Sequence, residues 1–215
     1  MGKLTFEISM SLDGFIAGPD ADVQNPLGQG GMQLHEWVLG LAAWRDPHGQ
    51  KGGDTGPDND VMKESVASKG ATIMGRRMYS GGEGSWADDP NADGWWGDDP
   101  PFGHPVFILT HHARETVAKE GGTTFTFVTD GIESALEQAR AAAGDKDVAI
   151  GGGANVAQQY LKAGLLEQVD IHLAPVLLGG GVRLFDGFGG GELPKFERVR
   201  VIDSPAVTHL RYRVV

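Results

Sequence analysis

The residues best suited to chemistry in this sequence follow strand-like segments. A glycine triplet, Gly151–Gly153, comes directly after the apolar segment Asp147–Ile150 and before a helix-like stretch. Glycine lets a ligand approach the backbone closely, and the first turn of a helix offers unpaired N–H groups to an anion. The pattern therefore indicates a site for a phosphate-bearing ligand. Because the spacing is not the usual G-x-G-x-x-G fingerprint, a turn that serves only strand–helix packing remains the alternative.

Two adjacent arginines follow a second strand. The apolar segment Ala71–Met74 predicts a short buried strand that ends at Gly75, directly before Arg76 and Arg77. A guanidinium is a rigid fork of donors that matches the oxygens of a phosphate. The pair indicates a second phosphate contact, with two solvated surface arginines as the alternative.

Thr110, His111 and His112 follow a third strand, predicted over Val106–Leu109. An imidazole there could face a phosphate or an adenine, or belong to ordinary surface. No third ligand of suitable spacing accompanies the two histidines, so we predict no metal site. In open parallel sheets ligands bind beyond the carboxyl ends of the strands, and all three segments follow such ends. That coincidence favours a single nucleotide site.

The elements that would position these residues alternate along the chain. Hydrophobic patterning predicts strands over Leu4–Met10, Ala71–Met74, Val106–Leu109, Thr124–Val128, Asp147–Ile150, Gln168–Val176, Phe196–Ile202 and Val207–Val214. Helical spacing predicts helices over Gln33–Ala43, Asn59–Ser68, Gly131–Ala143 and Asn155–Lys162. We expect Asp130 to cap the third helix in a capping box with Glu133.

This alternation predicts an α/β fold of three layers, α/β/α, with a mainly parallel central sheet and an antiparallel C-terminal edge. No repeat or linker divides the chain, so we predict a single domain over residues 1–215. The segment Gly81–Pro105 has no period but holds three of the five tryptophans, which favours an ordered loop. That loop could be a wall for a flat substrate, a cover over hydrophobic surface, or part of a dimer contact.

Composition narrows the classes of function. The 215 residues carry 18 basic and 29 acidic side chains, a net charge of −11, which disfavours nucleic acid as a partner. Cysteine is absent, which excludes disulfides, thiolate metal sites and a cysteine nucleophile. No apolar run approaches the roughly 20 residues of a membrane span, and the N-terminus has no signal-peptide pattern. We expect a cytoplasmic protein without a membrane partner.

Five motifs occur in a fixed order between residues 4 and 185. They are Ser11-Leu-Asp-Gly-Phe-Ile-Ala17, Met74-Gly-Arg-Arg77, Phe107-Ile-Leu-Thr110, Ile150-Gly-Gly-Gly153 and Leu173-Ala-Pro-Val-Leu-Leu-Gly-Gly-Gly181, followed by Leu184-Phe185. In these motifs the sequence resembles the dihydrofolate reductase-like superfamily. The last motif makes it most similar to the reductase branch of riboflavin biosynthesis. The resemblance implies a reductase that uses NADPH.

The resemblance also implies roles for individual residues. The cradle of the cofactor pyrophosphate would be formed by Ile150, Gly151, Gly152, Gly153, Ala154 and Asn155. Other phosphate contacts would come from Gly75, Arg76 and Arg77, and the adenosine end would lie near Thr110 with His111 or His112. The nicotinamide would be bordered by Ser9, Asp13, Gly14 and Ile16. Met78 stands where many members have a threonine, and the histidine pair stands where an arginine often reads the 2′-phosphate.

Dihydrofolate reductases carry an acidic residue on their first helix that supports protonation of the pterin. Here Glu36 or His35 could serve, and with Asp13 they are the candidate catalytic residues. The alternative is a solvated glutamate and histidine on a helix face.

The leading hypothesis is therefore an NADPH-dependent oxidoreductase that transfers hydride to a small heterocyclic substrate, ribosylaminopyrimidine-like or pterin-like. It would be similar to 5-amino-6-(5-phosphoribosylamino)uracil reductase and would form a homodimer. One alternative is a nucleotide-binding regulatory or scaffold protein of the same fold without turnover. Another is a phosphosugar-binding enzyme without redox chemistry.

Overall fold

The computed structural model describes residues 2–82, 84–189 and 193–215. The chain divides into two compact units, which we call the first and the second unit. The first comprises residues 1–5 and 69–166, and the second comprises residues 6–68 and 167–215.

The strands of the described residues are β1 (Leu4–Ser11), β2 (Phe15–Ala17), β3 (Lys69–Gly75), β4 (Pro105–Leu109), β5 (Val117–Ala118), β6 (Thr124–Val128), β7 (Asp147–Ile150), β8 (Gln168–Ala174), β9 (Val182–Arg183), β10 (Phe196–Asp203) and β11 (Thr208–Val214). The α-helices are α1 (Glu36–Leu39), α2 (Ala42–Arg45), α3 (Pro57–Ser68), α4 (Arg76–Ser80), α5 (Ile132–Ala143) and α6 (Ala154–Lys162). Four short 3-10 helices cover Gly31–Leu34, Asp46–His48, Trp86–Asp88 and Glu120–Gly122.

The first unit is built on parallel strands in the order β7-β3-β4-β6, with the short β5 antiparallel at the edge. Strand β3 lies in the middle, and Ala71–Met74 is buried throughout. This burial on both faces explains why the segment does not alternate between apolar and charged residues. Helices α4, α5 and α6 pack on these strands. The carboxyl ends of β3, β4 and β7 consequently share one edge of the unit.

The second unit has antiparallel strands in the order β10-β11-β8, followed by β1. Helices α1, α2 and α3 belong to this unit, and β2 pairs with β9 in a small separate ribbon. In β11 and β8 the register places His209 directly opposite His172. Together the two units confirm the predicted fold class, in which a mixed, mostly parallel sheet has an antiparallel C-terminal edge and helices flank it.

Two local predictions are wrong. The helix predicted over Gln33–Ala43 is broken into a 3-10 turn and two single-turn helices, because Leu41 is extended and the backbone of its neighbours bonds to Asp54. Helix α5 begins after Gly131, whose φ is 94°, and no side chain of the described residues caps it. The predicted capping box of Asp130 and Glu133 is therefore absent from the described structure.

The tryptophan-rich segment of the first unit is folded over hydrophobic surface. Trp86, Trp96 and Phe102 pack against a buried cluster that comprises Met74, Tyr79, Val106, Ile108, Phe125 and Phe127. The Trp95 indole N–H donates to the carbonyl of Met78 at 3.0 Å. Of the roles open to this loop, the structure supports a cover over core side chains. Among the described residues no helix is long and apolar enough to cross a membrane.

Candidate functional site

The carboxyl ends of β3 and β7 are joined by backbone hydrogen bonds in the first unit. The Gly75 N–H donates to the carbonyl of Gly152 at 3.0 Å, and the Gly151 N–H donates to the carbonyl of Ile73 at 2.8 Å. Leu109, the last residue of β4, lies opposite Gly75 in register. The structure thus brings together the three motifs at the edge where parallel sheets bind ligands.

The three glycines of the turn differ in what a side chain would meet. A Cβ on Gly151 would lie 2.8 Å from the Thr72 methyl group, so this glycine is required for packing. Gly152 has a φ of 119°, which side chains rarely tolerate. Gly153 has a φ of −92°, and its Cβ would meet no atom of the described residues within 4 Å. At this position glycine leaves open space beside the backbone.

That space lies at the N-terminus of α6. No side chain of the described residues caps the helix, and its first turn contains no acidic residue. The first N–H groups of a helix have no intrahelical partner and favour negative charge. Ala154 and Asn155 carry two of these groups, and the Asn155 side chain accepts from Gln159 at 2.6 Å. Ile150 is buried below the turn and supports it from the core.

Arg76 is engaged inside the first unit. Its side chain is 7% exposed and forms an ion pair with Asp89, which is 3% exposed. The Arg76 Nε–H donates to the Ser80 hydroxyl at 2.9 Å, and the guanidinium carbon lies 3.2 Å from the centre of the Trp86 ring. This geometry gives Arg76 a structural role in holding the tryptophan-rich loop, and it leaves the predicted phosphate contact without support.

Arg77 is the exposed member of the arginine pair, at the second position of α4. It follows Gly75, the residue bonded to the glycine turn. Thr110 is buried, and its hydroxyl accepts from the backbone N–H of His112 at 3.1 Å. His111 is exposed, while the His112 carbonyl accepts from the Trp86 indole N–H at 2.9 Å. Arg77 and His111 are therefore the candidate residues of these motifs whose side chains face outward.

Asp13 joins two loops of the second unit. Its carboxylate accepts from the Ser11 hydroxyl at 2.6 Å and from the backbone N–H groups of Gly179 and Leu178 at 2.7 and 3.2 Å. The Ser11 hydroxyl is the main cause that lowers the pKa of Asp13 to about 2, and the two backbone donors lower it further against desolvation. The carboxylate is therefore ionised at neutral pH, so its part in any reaction is that of an acceptor or an anchor.

We expect the Asp13→Asn variant to melt at a lower temperature than the wild type at neutral pH, because an amide group would place a donor against backbone donors. A carboxylate whose pKa is lowered by folding stabilises the fold above its ordinary pKa, and this contribution disappears as pH falls toward 2. The difference between the two proteins should therefore shrink on acidification, as followed by circular dichroism. Asp88→Asn, at an exposed position, is the control; equal melting temperatures at neutral pH would contradict the anchor.

The other predicted nicotinamide residues also belong to the second unit. Ser9 is buried, and its hydroxyl accepts from the Trp37 indole N–H at 2.9 Å. Gly14 has a φ of 85°, and Ile16 is buried. The two remaining catalytic candidates, Glu36 and His35, have different surroundings. Glu36 is exposed on α1, whereas burial, with a smaller effect of the neighbouring His172, lowers the pKa of His35.

Four functional candidates were missed by the sequence reasoning. Glu7, Asp58, His172 and His209 form a hydrogen-bonded row in the interior of the second unit. These residues lie far apart in the chain and do not form a recognisable sequence motif. The available signal was one histidine in each of two predicted strands, Gln168–Val176 and Val207–Val214. No group of three or more His, Cys, Asp or Glu side chains arranged to hold a metal occurs in the part of the chain that the structure describes.

Known proteins share this architecture. The model of the RibD C-terminal domain family matches residues 2–209. A protein from Shewanella sp. PV-4 assigned to riboflavin biosynthesis is 22% identical, with a TM-score of 0.61 over 100% of this chain and 99% of that one. Among curated proteins no match was found.

Two further structures share the fold. One is a diaminohydroxyphosphoribosylaminopyrimidine deaminase/5-amino-6-(5-phosphoribosylamino)uracil reductase from Thermotoga maritima, 15% identical, with a TM-score of 0.60 over 100% of this chain and 57% of that one. The other is dihydrofolate reductase from Enterococcus faecalis complexed with NADP(H) and RAB-propyl, 13% identical, with a TM-score of 0.50 over 99% and 96% of the two chains. The family match across nearly the whole chain shows that this protein belongs to the RibD C-terminal domain family of reductases.

Proposed function

We propose that this chain is an NADPH-dependent reductase that transfers hydride to a small heterocyclic substrate, ribosylaminopyrimidine-like or pterin-like. The single observation that carries the cofactor side is Gly153. Of the three glycines in the turn, Gly151 is explained by packing and Gly152 by its backbone conformation. At Gly153 packing does not require a glycine and φ is −92°, and the open space beside it borders the N-terminus of α6.

The residues at this edge suit a pyrophosphate. The N–H groups of Ala154 and Asn155 at the start of α6 would donate to its oxygens, and the exposed Arg77 guanidinium would supply positive charge. A local positive site is needed because the chain carries a net charge of −11, which opposes a polyanionic ligand at long range. His111 would lie toward the adenosine end, as the third strand-end motif predicts.

The nicotinamide, when bound, supplies the hydride, so the protein has to bind, orient and exclude water. Support for the cofactor also comes from a relative of the same fold, which is complexed with NADP(H). Support for the substrate class comes from another relative, whose name states reduction of a phosphoribosylaminouracil. Ser9, Gly14 and Ile16 stay the candidates for the nicotinamide border, and His35 and Glu36 stay candidates for proton transfer.

The test combines binding and turnover in the purified protein. We expect NADPH to raise the melting temperature and to be oxidised when a ribosylaminopyrimidine or a dihydropterin is added. A parallel titration with NADH measures the preference for the 2′-phosphate. Binding of NADPH without oxidation by any substrate of either class would favour the regulatory or scaffold alternative. If phosphosugars raised the melting temperature and neither nucleotide did, the cofactor site would be refuted.

We also propose that the protein acts on a small molecule as a homodimer, in the cytoplasm and without nucleic acid or membrane partners. Aromatic and aliphatic side chains exposed on the second unit, such as Phe185, Phe196 and Val201, are compatible with a subunit contact. Light scattering at micromolar concentration would show twice the mass of one chain if the dimer forms.

A further inference from the structure

The interior of the second unit holds a row of four ionisable side chains from four elements. The His172 Nε2 lies 2.9 Å from a Glu7 carboxylate oxygen, and the His209 Nε2 lies 2.7 Å from an Asp58 carboxylate oxygen. Between them, the two Nδ1 atoms of His172 and His209 are 2.7 Å apart. Both imidazoles are buried, at 4% and 5% exposure. The row therefore runs from carboxylate through two imidazoles to carboxylate.

Counting protons fixes the charge of this row. Each of its three contacts needs one hydrogen, and an ionised carboxylate has none to donate. Two neutral imidazoles carry only two N–H groups between them, so the full set of hydrogen bonds requires one additional proton. A second additional proton would place N–H groups on both Nδ1 atoms, facing each other at 2.7 Å. We propose that Glu7, His172, His209 and Asp58 form a buried site that binds one proton and excludes a second.

The carboxylate at each end of the row also faces a serine hydroxyl. The Ser65 hydroxyl donates to Glu7, and the Ser204 hydroxyl donates to Asp58. Hydroxyl donors favour the charged state of a carboxylate. The two carboxylates are partly buried, at 20% and 15% exposure, and positive charge on the rings between them stabilises them directly. The serine hydroxyls, which favour the ionised carboxylates, therefore strengthen binding of the shared proton.

Two arginines near the pair form ion pairs with other acidic side chains. Arg211 forms ion pairs with Asp170 and Glu64, both at 2.6 Å, and Arg200 pairs with Glu64 at 2.8 Å. The positive charges of these two arginines balance the negative charges of Asp170 and Glu64. His35 is a further titratable neighbour, and burial, with a smaller effect of the nearby His172, lowers its pKa. The carboxylates in direct contact with the two imidazoles are those of Glu7 and Asp58.

Exclusion of the second proton agrees with the direction in which the surroundings shift the pKa of His209. Burial lowers the pKa of His209, and the neighbouring His172 lowers it further, although the hydrogen bond to Asp58 acts in the opposite direction. Two coupled imidazoles titrate in two steps that belong to the pair, and the charge of the first proton weakens binding of the second.

Trp37 links the site to the rest of the unit. Its ring lies 4.7 Å from the His172 ring and 5.2 Å from the His209 ring, and its indole N–H donates to the Ser9 hydroxyl. A change of charge on the pair therefore changes the electrostatic environment of the indole. Trp37 provides a local reporter of the proton, whichever function the protein has.

The direct test is nitrogen-15 NMR of the imidazole rings over a pH series on the whole chain. At neutral pH we expect three of the four ring nitrogens of His172 and His209 to be protonated. They should lose one proton in a single step above the ordinary imidazole pKa of about 6.5, and the Trp37 indole resonance should move in the same step. The exposed His48 and His111 are internal references. Two neutral rings at pH 7, or two independent titrations near the ordinary value, would overturn the proposal.

Variants isolate the contribution of the end carboxylates. Glu7→Gln and Asp58→Asn each keep an oxygen acceptor for the imidazole but remove one charge, so we expect the step to move to lower pH by about one unit or more. Glu137→Gln, at an exposed position of α5, is the matched control and should leave the step unchanged. A step that stayed in place in both folded variants would contradict the proposal, and if neither folds, the wild-type spectra decide.

Stability against pH gives a second readout. Above about 6.5 the folded chain would hold one more proton at the pair than the unfolded chain, so the melting temperature should fall as pH rises. Below that value the unfolded chain would bind the second proton that the fold excludes, so the melting temperature should also fall as pH decreases. Glu7→Gln and Asp58→Asn should weaken the alkaline decline relative to wild type and Glu137→Gln. An alkaline decline identical in all four proteins would count against the site.

Discussion

The Gly153→Val variant should fold like the wild type and lose its affinity for NADPH. Its φ of −92° suits any residue, and a Cβ there meets no atom of the described residues within 4 Å, so the fold has room for the side chain. The valine methyl groups would occupy the space where phosphate oxygens approach the N-terminus of α6. Loss of two charge-assisted hydrogen bonds at about 1.5 kcal/mol each corresponds to roughly a hundredfold weaker binding.

The measurement is a titration of NADPH by calorimetry, with the melting temperature of the unliganded protein recorded beside it. Gly84→Val is the control, because Gly84 also has no atom of the described residues near its Cβ and a φ outside the left-handed region. Gly153→Ala should show a smaller loss, since a methyl group fills less of the space. Wild-type affinity in a folded Gly153→Val protein would refute the cradle at this turn.

The Arg76→Ala variant should be strongly destabilised. The substitution leaves the Asp89 carboxylate buried without its cation and removes the guanidinium that stacks on Trp86. Breaking a buried ion pair by removing one partner costs about 3–5 kcal/mol of unfolding free energy. Urea unfolding measures this loss. Replacing both partners by apolar residues, as in Arg76→Met with Asp89→Leu, should recover a large part of it, because no buried charge is then left alone.

Arg77→Ala is the matched comparison for the neighbouring arginine. Arg77 is exposed, so its removal should change the unfolding free energy by no more than about 0.5 kcal/mol. If it contacts a phosphate, NADPH binding should weaken by about 1.5–3 kcal/mol. The opposite result, in which Arg77→Ala destabilises the fold and Arg76→Ala does not, would show that the two roles have been exchanged.

Several features of the fold were predictable because they depend on local pattern. The buried segment Ala71–Met74 and the helix over residues 132–143 appear where hydrophobic spacing places them. The motifs at Gly75, Thr110 and Gly151–Gly153 lie at the ends of parallel strands, as the alternation of strands and helices requires. The helix predicted over Gln33–Ala43 was wrong because a residue outside the segment, Asp54, forms backbone hydrogen bonds with the neighbours of Leu41.

The sequence by itself determined the class of the fold, the strand ends that carry the candidate cofactor site, and the resemblance that points to a reductase. All of these depend on residues that are close neighbours in the chain. It could not distinguish the two arginines, because Arg76 and Arg77 differ only in which of them the start of α4 turns toward Asp89 and Trp86.

The three glycines of the turn are also separated only by the fold. In the sequence the triplet Gly151–Gly153 is equally compatible with packing and with binding, whereas in the structure Thr72 makes Gly151 a packing residue and open space lies beside Gly153. The pairing of His172 with His209 likewise follows from the register of β8 and β11. Residues 37 positions apart become hydrogen-bond partners only when strand pairing brings them together.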